Sequence, residues 1–490
     1  MRNRKFIKFV FTIAAVLITS AGCNSELDLV PPAQFAAGNV LQTIEGMEGV
    51  LGNAYREDNL NFRKNLINMS EVSTDMGWNT GGGENRTLQL FMEYTWDPST
   101  GWINGSLWLP RYRAIRNCNV VLDNIESANI EAGPKALLAA EARYLRAASY
   151  YWLYNYFGTV PLRTTGDLSV QEANLPRASE EEMLTFIETE LNAVVSDLPN
   201  PGQESQYGRA TKGHALGILT KFLLNTKQWA KVVTATQQLM ALNYYELFPD
   251  FRAQFFIENE GNKESVIGLP RINVGGNNSV YQNGAFPPGF RRADNIPEFE
   301  WVPGMANWAT QYRLQDAFVD SYDPNDARLQ AIIQNYYNAS GAFVDLRSQA
   351  NNSRCLKFFD NAQVANNAGV DMSPIRYADI LLSRAEALNE LNGPTQEALD
   401  LINMVRNRAN LGDLTTAEAT SKEVLRDLIL RERGWEFVAE GKRWEDLKRH
   451  GTLISNAVAR GRNAQSHHVL WPIPEGEVNA NPNLEQNPGY

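Results

Sequence analysis

Apolar residues recur every three or four positions through most of this chain, with polar residues filling the gaps. Ala378, Leu381, Leu382, Ala385 and Leu388 make one such stripe, behind Ser373 and Pro374, which suit a helix cap and a first helical turn. Asn392-Gly393-Pro394 stops that helix, since Gly accepts a left-handed cap and Pro cannot extend the ladder. Ala398, Leu401, Ile402, Val405 and Ala409 begin a second stripe directly afterwards. Helices joined by so short a turn pack as an antiparallel hairpin, and small residues such as Ala385 and Ala398 let them approach closely. A third helix opens at Thr420-Ser421-Lys422-Glu423, a capping-box spacing, with Val424, Leu425, Leu428 and Ile429 facing inward.

The same period runs through the middle of the chain. Helices are predicted over 108–122, over 134–157 with a stop at Gly158, and from the capping box Ser179–Glu182 to about Leu198. Residues 211–225 and 228–241 form another hairpin around Trp229. Two stretches break the period: 75–106, with Gly81-Gly82-Gly83, and 272–312, rich in Asn, Gly, Pro and aromatics. Strand-like runs at Ser265–Leu269 and Cys355–Phe359 flank the second. The expectation is a mainly α fold of tetratricopeptide-like hairpins, with irregular insertions and a few short strands. Long irregular insertions in a compact domain are usually functional.

Charge adds three points. The residues around Trp435 and Trp444 alternate in sign, a pattern expected of a solvated, weakly paired helix face. Arg2, Arg4, Lys5 and Lys8 precede an apolar run from Phe9 to Ile18, too short to span a bilayer as a helix, so residues 1–22 read as a signal peptide. Small residues before Cys23 (Thr19-Ser20-Ala21-Gly22) resemble a lipobox, which makes Cys23 the lipidation site and 23–40 a tether to one domain over 41–490. Losing residues 1–22 removes four positive and no negative charges, so the net charge goes from −11 to −15. So acidic a chain argues against nucleic acid as a partner. Cys118 and Cys355 could pair, although two separate buried thiols are the favoured reading.

Little reaction chemistry is visible. There are four His residues, and no His-Glu-x-x-His, Gly-x-Ser-x-Gly, Cys-x-x-Cys or phosphate-loop pattern. His467-His468 lacks a Cys or carboxylate at metal-ligand spacing. The run Asp320 to Arg328 lacks the Gly and Glu of a calcium loop. No enzyme, cofactor or metal is expected, although two carboxylates placed across a cleft would be invisible at this level.

Taken together, these blocks resemble the starch-utilisation SusD/RagB family of outer-membrane lipoproteins. The resemblance runs nearly end to end. It begins at Cys23 with Glu26-Leu27-Asp28 and Pro31, and continues through Ser70-Glu71 and Asp75, then Trp108, Tyr112, Ile115 and Asn119. Glu141–Ala147 leads to Phe157–Leu162. Asn403–Ala409, Arg431–Lys448 and Trp471–Glu475 with Gln486–Tyr490 complete it, beside the 373–389 block.

That resemblance implies a superhelix of four helix pairs and an outward-facing lipoprotein that binds oligosaccharides, or in some members peptides. It also implies a lid role on a SusC-like TonB-dependent transporter, with ligand meeting the irregular side. A sugar offers apolar C–H faces to a flat Trp or Tyr, and hydroxyls to Asn, Asp and Arg. The expected ligand residues are therefore Asp75, Trp78 and Asn79 in the first insertion and Tyr281, Asn283, Trp301, Trp308 and Tyr312 in the second. Arg56 and Asp58 are expected on the same edge. Peptide capture by the same lid, and a surface glycoside hydrolase, are the alternatives.

Overall fold

The structure is a computed structural model that describes residues 40–490 except 62–63, 81–84, 167–168, 275–277 and 309–311, with the backbone alone at 59–61 and 64. The signal peptide, Cys23, the tether and Gly81–Gly83 lie outside the described residues. Helices α1 (Ile44–Asn61), α2 (Lys64–Val72), α3 (Asn85–Glu93), α4 (Leu109–Ile125), α5 (Ala132–Phe157) and α6 (Glu180–Val194) fill the first part of the chain. Next come α7 (Lys212–Asn225) and α8 (Trp229–Met240), then α9 (Tyr377–Asn392), α10 (Gln396–Arg408), α11 (Lys422–Glu436) and α12 (Arg443–Arg449). The hairpins α4–α5, α7–α8 and α9–α10 stack in sequence: α1 packs on α4, α6 on α5, α8 on α9, and α11 on α9. This is the tetratricopeptide-like superhelix that the apolar stripes specify.

Local signals explain most helix ends. Ser179 and Glu182 form the reciprocal capping box of α6. Gly158 and Gly393 end α5 and α9 with φ of 73° and 75°, where a Cβ is disfavoured.

Four expectations need correcting. Residues 372–376 form strand β9, not the start of a helix; α9 begins at Tyr377. Strand β9 pairs with β2 (Ser265–Leu269) through an irregular register, which tolerates Pro374 because the proline lacks a ladder donor. The cap of α11 is Ser421, whose Oγ accepts from the Val424 N–H, so Thr420–Glu423 is not a capping box. Val424 itself points outward, while Leu425 and Ile429 face in. The first insertion is partly helical, since it contains α3.

The fourth correction concerns charge. Most of the sign-alternating residues around Trp435 and Trp444 are buried, not solvated: Glu432, Arg433, Glu436, Glu440, Glu445 and Asp446 among them. Arg376 holds Glu440 at 2.7 Å and Glu436 at 2.9 Å, and also pairs with Glu264. Arg408 reaches Glu264 and Glu436, Arg328 reaches Asp326 and Glu432, and Lys357 reaches Glu440. A second group joins Arg433 to Asp379 and Asp446, and Arg449 to Glu386. The insertion and β9 cover one side of this layer and α9 the other, so a face that would be wet on an isolated hairpin is dry here.

The C-terminal block is a strap. Trp471 and Trp444 pack on Tyr156 at the end of α5, and the Asn487 side chain donates to the carbonyls of Phe157 and Trp471. Cys118 and Cys355 are separate buried thiols, and burial pushes the Cys355 pKa up to about 11.

Candidate functional site

The irregular side is organised by a small antiparallel sheet in the order β1 (Gly77–Trp78), β4 (Arg313–Leu314), β8 (Ser353–Cys355) and β5 (Ile332–Ile333). Its register places Trp78 opposite Arg313, Arg313 opposite Arg354, and Arg354 opposite Ile333. Directly opposed residues share a face, so Trp78, Arg313 and Arg354 stand in one row. Gln315 fixes the turn beneath this row. Its backbone N–H donates to the Met76 carbonyl, and its Nε2 donates to the carbonyls of Thr74 (2.8 Å) and Gly77 (3.0 Å). Trp78 is half-buried, with the Arg462 guanidinium 5.0 Å from its ring centroid. Arg462 in turn pairs with Glu93 at 2.6 Å.

A helical turn at Tyr281–Ala285 holds the segment leading into β4. The Trp308 N–H donates to the Asn283 carbonyl at 2.8 Å, and Asn283 Nδ2 donates to the Ala306 carbonyl at 3.0 Å. Tyr312 lies on Tyr281 with ring centroids 5.5 Å apart. A Cβ at Gly284 would lie 2.3 Å from the Tyr312 ring, so a glycine is needed for this approach.

The expected ligand residues therefore divide. Trp78 and Trp308 are half-buried, whereas Tyr281, Asn283 and Tyr312 are buried. Asn79 is also buried, its Nδ2 donating to Asn85 Oδ1 at 2.9 Å. Asp75 is taken up by Arg443, which holds both its oxygens at 2.8 and 2.7 Å. Burial alone raises the Asp75 pKa, but the Arg443 contact outweighs it and holds the carboxyl below its usual range. Trp301 is half-buried at another edge, its backbone N–H donating to the Arg291 carbonyl.

Arg56 and Asp58 do not share that edge. They line a separate cavity of about 920 Å³ between α1, α5, residues 206–209 and β2, and no residue of the Trp78 row lines it. Asp58 pairs there with the buried Arg111. Several of this cavity's polar groups are already paired. Tyr55 Oη donates to Glu141 at 2.7 Å, and Arg209 pairs with Glu141 and Glu48. Burial pushes the His214 pKa in its wall down to about 4, so that ring is neutral.

Arg313, Arg354 and Arg462 escaped the sequence reading. No spacing signals them, because strand pairing across residues 78, 313 and 354 brings them together. Among the described residues no group of three or more His, Cys, Asp or Glu is placed to hold a metal, and no helix is long and apolar enough to cross a membrane.

Comparison with known proteins places these features in context. Residues 249–490 match the SusD family, and residues 31–224 match a family described as starch-binding associating with outer membrane. The SusD-like protein P2 of Formosa agariphila is 25% identical across 99% of this chain and all of its own. The starch-binding protein SusD of Bacteroides thetaiotaomicron is 23% identical across 99% of both chains. Among solved structures, a laminarin-binding SusD-like protein superposes with a TM-score of 0.77 at 23% identity, covering 91% of this chain and 99% of its own.

Proposed function

The chain belongs to the SusD/RagB family, and from that membership we propose that it captures oligosaccharides at the cell surface and passes them, as a lid, to a SusC-like TonB-dependent transporter. Residues 1–22 direct export, Cys23 carries the lipid, and the protein contributes binding energy with no chemistry of its own. The observation that carries this reading is the Trp78 indole, held half-open on a strand whose turn is locked by Gln315. A preset aromatic platform loses little freedom when a sugar ring stacks on it. Trp308 extends the platform, and Tyr281, Asn283 and Tyr312 support it from behind. Trp301, at another edge, is left out of this platform.

Glycan capture by similar chains supports the assignment, since the Bacteroides relative is a starch-binding protein and the superposed structure is laminarin-binding. The test is a panel of oligosaccharides and oligopeptides offered to the purified mature protein, with Trp78→Ala and Trp308→Ala beside the wild type. Glycan binding that falls about tenfold in Trp78→Ala, or ~1.4 kcal/mol, is the expected result. Tyr207→Ala, in the separate cavity, should leave it intact. Binding of peptides alone, or glycan binding lost only in Tyr207→Ala, would overturn the assignment.

A further inference from the structure

The row beside Trp78 contains an electrostatic imbalance. Arg354 is 0% exposed, yet its Nε and Nη2 have no hydrogen-bond partner, and its Nη1 donates only to the nearby Asn352 carbonyl. Among the described residues it forms no ion pair, and the neighbouring charge in register with it is a second cation, Arg313. Arg313 has a buried Nε without a partner and is itself half-exposed. Among the described residues no carboxylate acts on either group. Burial, and after it Arg313, pulls the Arg354 pKa down to about 9, and the remaining influences are the Tyr336 and Tyr281 hydroxyls. For Arg313 burial alone lowers it.

Four other buried arginines are closely paired. Arg328, Arg376, Arg433 and Arg449 each hold at least two carboxylates. Two adjacent unpaired guanidiniums, in a chain of net charge −15 after residue 22, therefore stand out. An uncompensated buried charge costs several kcal/mol, a cost that a bound anion offsets. Two polar side chains near Trp78 in sequence are engaged: both Asp75 oxygens are on Arg443, and the Asn79 Nδ2 is on Asn85. What this row offers a ligand is donors and positive charge.

We propose, resting on the glycan-capture reading above, that the saccharide taken here is anionic. A carboxylate or sulfate ester seats on the Arg313 guanidinium while a ring stacks on Trp78, and Arg354 supplies unpaired positive charge from beneath. A planar guanidinium suits either oxyanion, through two parallel N–H···O contacts.

The experiment is an array carrying neutral, uronate-containing and sulfated oligosaccharides, probed with wild type, Arg313→Gln and Arg354→Met. Uronate and sulfate arms distinguish the two anions. The expected result is preferential binding to one or both charged arms, weakened about tenfold in Arg313→Gln and again in about 0.5 M NaCl. Arg354→Met should weaken the same binding while raising the melting temperature of the free protein, because it removes an unpaired buried charge without emptying its volume. A purely structural Arg354 would instead lower the melting temperature when replaced. Binding confined to neutral glycans, or charged-glycan binding unchanged in Arg313→Gln, overturns the anionic assignment and leaves glycan capture standing. No glycan bound on any arm overturns both.

Discussion

Trp78 and Glu71 sit seven residues apart and owe their properties to opposite surroundings. Trp78 emerges from a locked turn and stays half-buried, with the Arg462 guanidinium over its ring. Because it is only half-buried, Trp78→Ala should cost little stability, so its melting curve should track the wild type while glycan affinity falls. Loss of the folded state would mark it as a packing residue. Glu71 is sealed at the end of α2, where burial raises its pKa to about 8, and it accepts the Gly441 N–H at 2.9 Å. A carboxyl whose folded pKa lies above its unfolded value of 4.5 binds its proton more tightly when folded. Stability attributable to it is therefore full below pH 4.5 and declines as pH climbs to about 8. Glu71→Gln keeps an acceptor for Gly441 and removes the titration. Its melting temperature should gain on the wild type progressively between pH 5 and pH 8; parallel curves would refute the burial account. Asp75, four residues on, looks similar in sequence, yet its Arg443 partner reverses the outcome. Nothing local to either residue reveals which partner arrives.

At the scale of elements, the apolar stripes predict hairpins well, because a period of 3.6 is a property of each helix alone. The stripes of α9 and α10 and the pair α7–α8 lie where the spacing put them. Charge patterning is less informative. The run Arg431–Lys448 reads as a wet face, but the insertion packs over it and turns it into a buried ion-pair layer. Such layers are sensitive to loss of one member. Arg376→Met leaves Glu264, Glu436 and Glu440 short of a cation, and should cost about 3–5 kcal/mol in denaturant unfolding. A change under about 1 kcal/mol would mean that the layer is wet in solution. Acid should act on the same layer. Burial raises the Glu436 pKa, but Arg408 and Arg376 outweigh that and hold it at about 2. Its contribution is present above pH 4.5 and lost as pH falls through about 2, so acid unfolding followed by circular dichroism should steepen in that window, and less so in Glu436→Gln.

For the whole molecule, the proposed lid requires an anchor at one end and an open face at the other. The superhelix separates the two tasks, since the hairpins form a scaffold while the segment between α8 and α9 carries the described strands other than β1. Cys23→Ser should shift the protein out of the membrane fraction, with glycan affinity of the purified protein unchanged. Retention in the membrane fraction would count against lipid anchoring at that residue. Removing the transporter partner should abolish uptake while surface binding persists, and uptake that survives would reject the lid role.

The helices, some of their ends and the family resemblance are legible in the chain, because they depend on neighbours within a turn or two and on ordered local motifs. Which aromatic stays open, which charge is buried and which cation lacks a partner were decided only by tertiary packing. Trp78, Arg313 and Arg354 are far apart in sequence and meet through strand register. Arg56 and Asp58, expected beside Trp78, were carried by α1 to the wall of a different cavity. Burial and partnership depend on which distant segments cover a residue, and no local period encodes that.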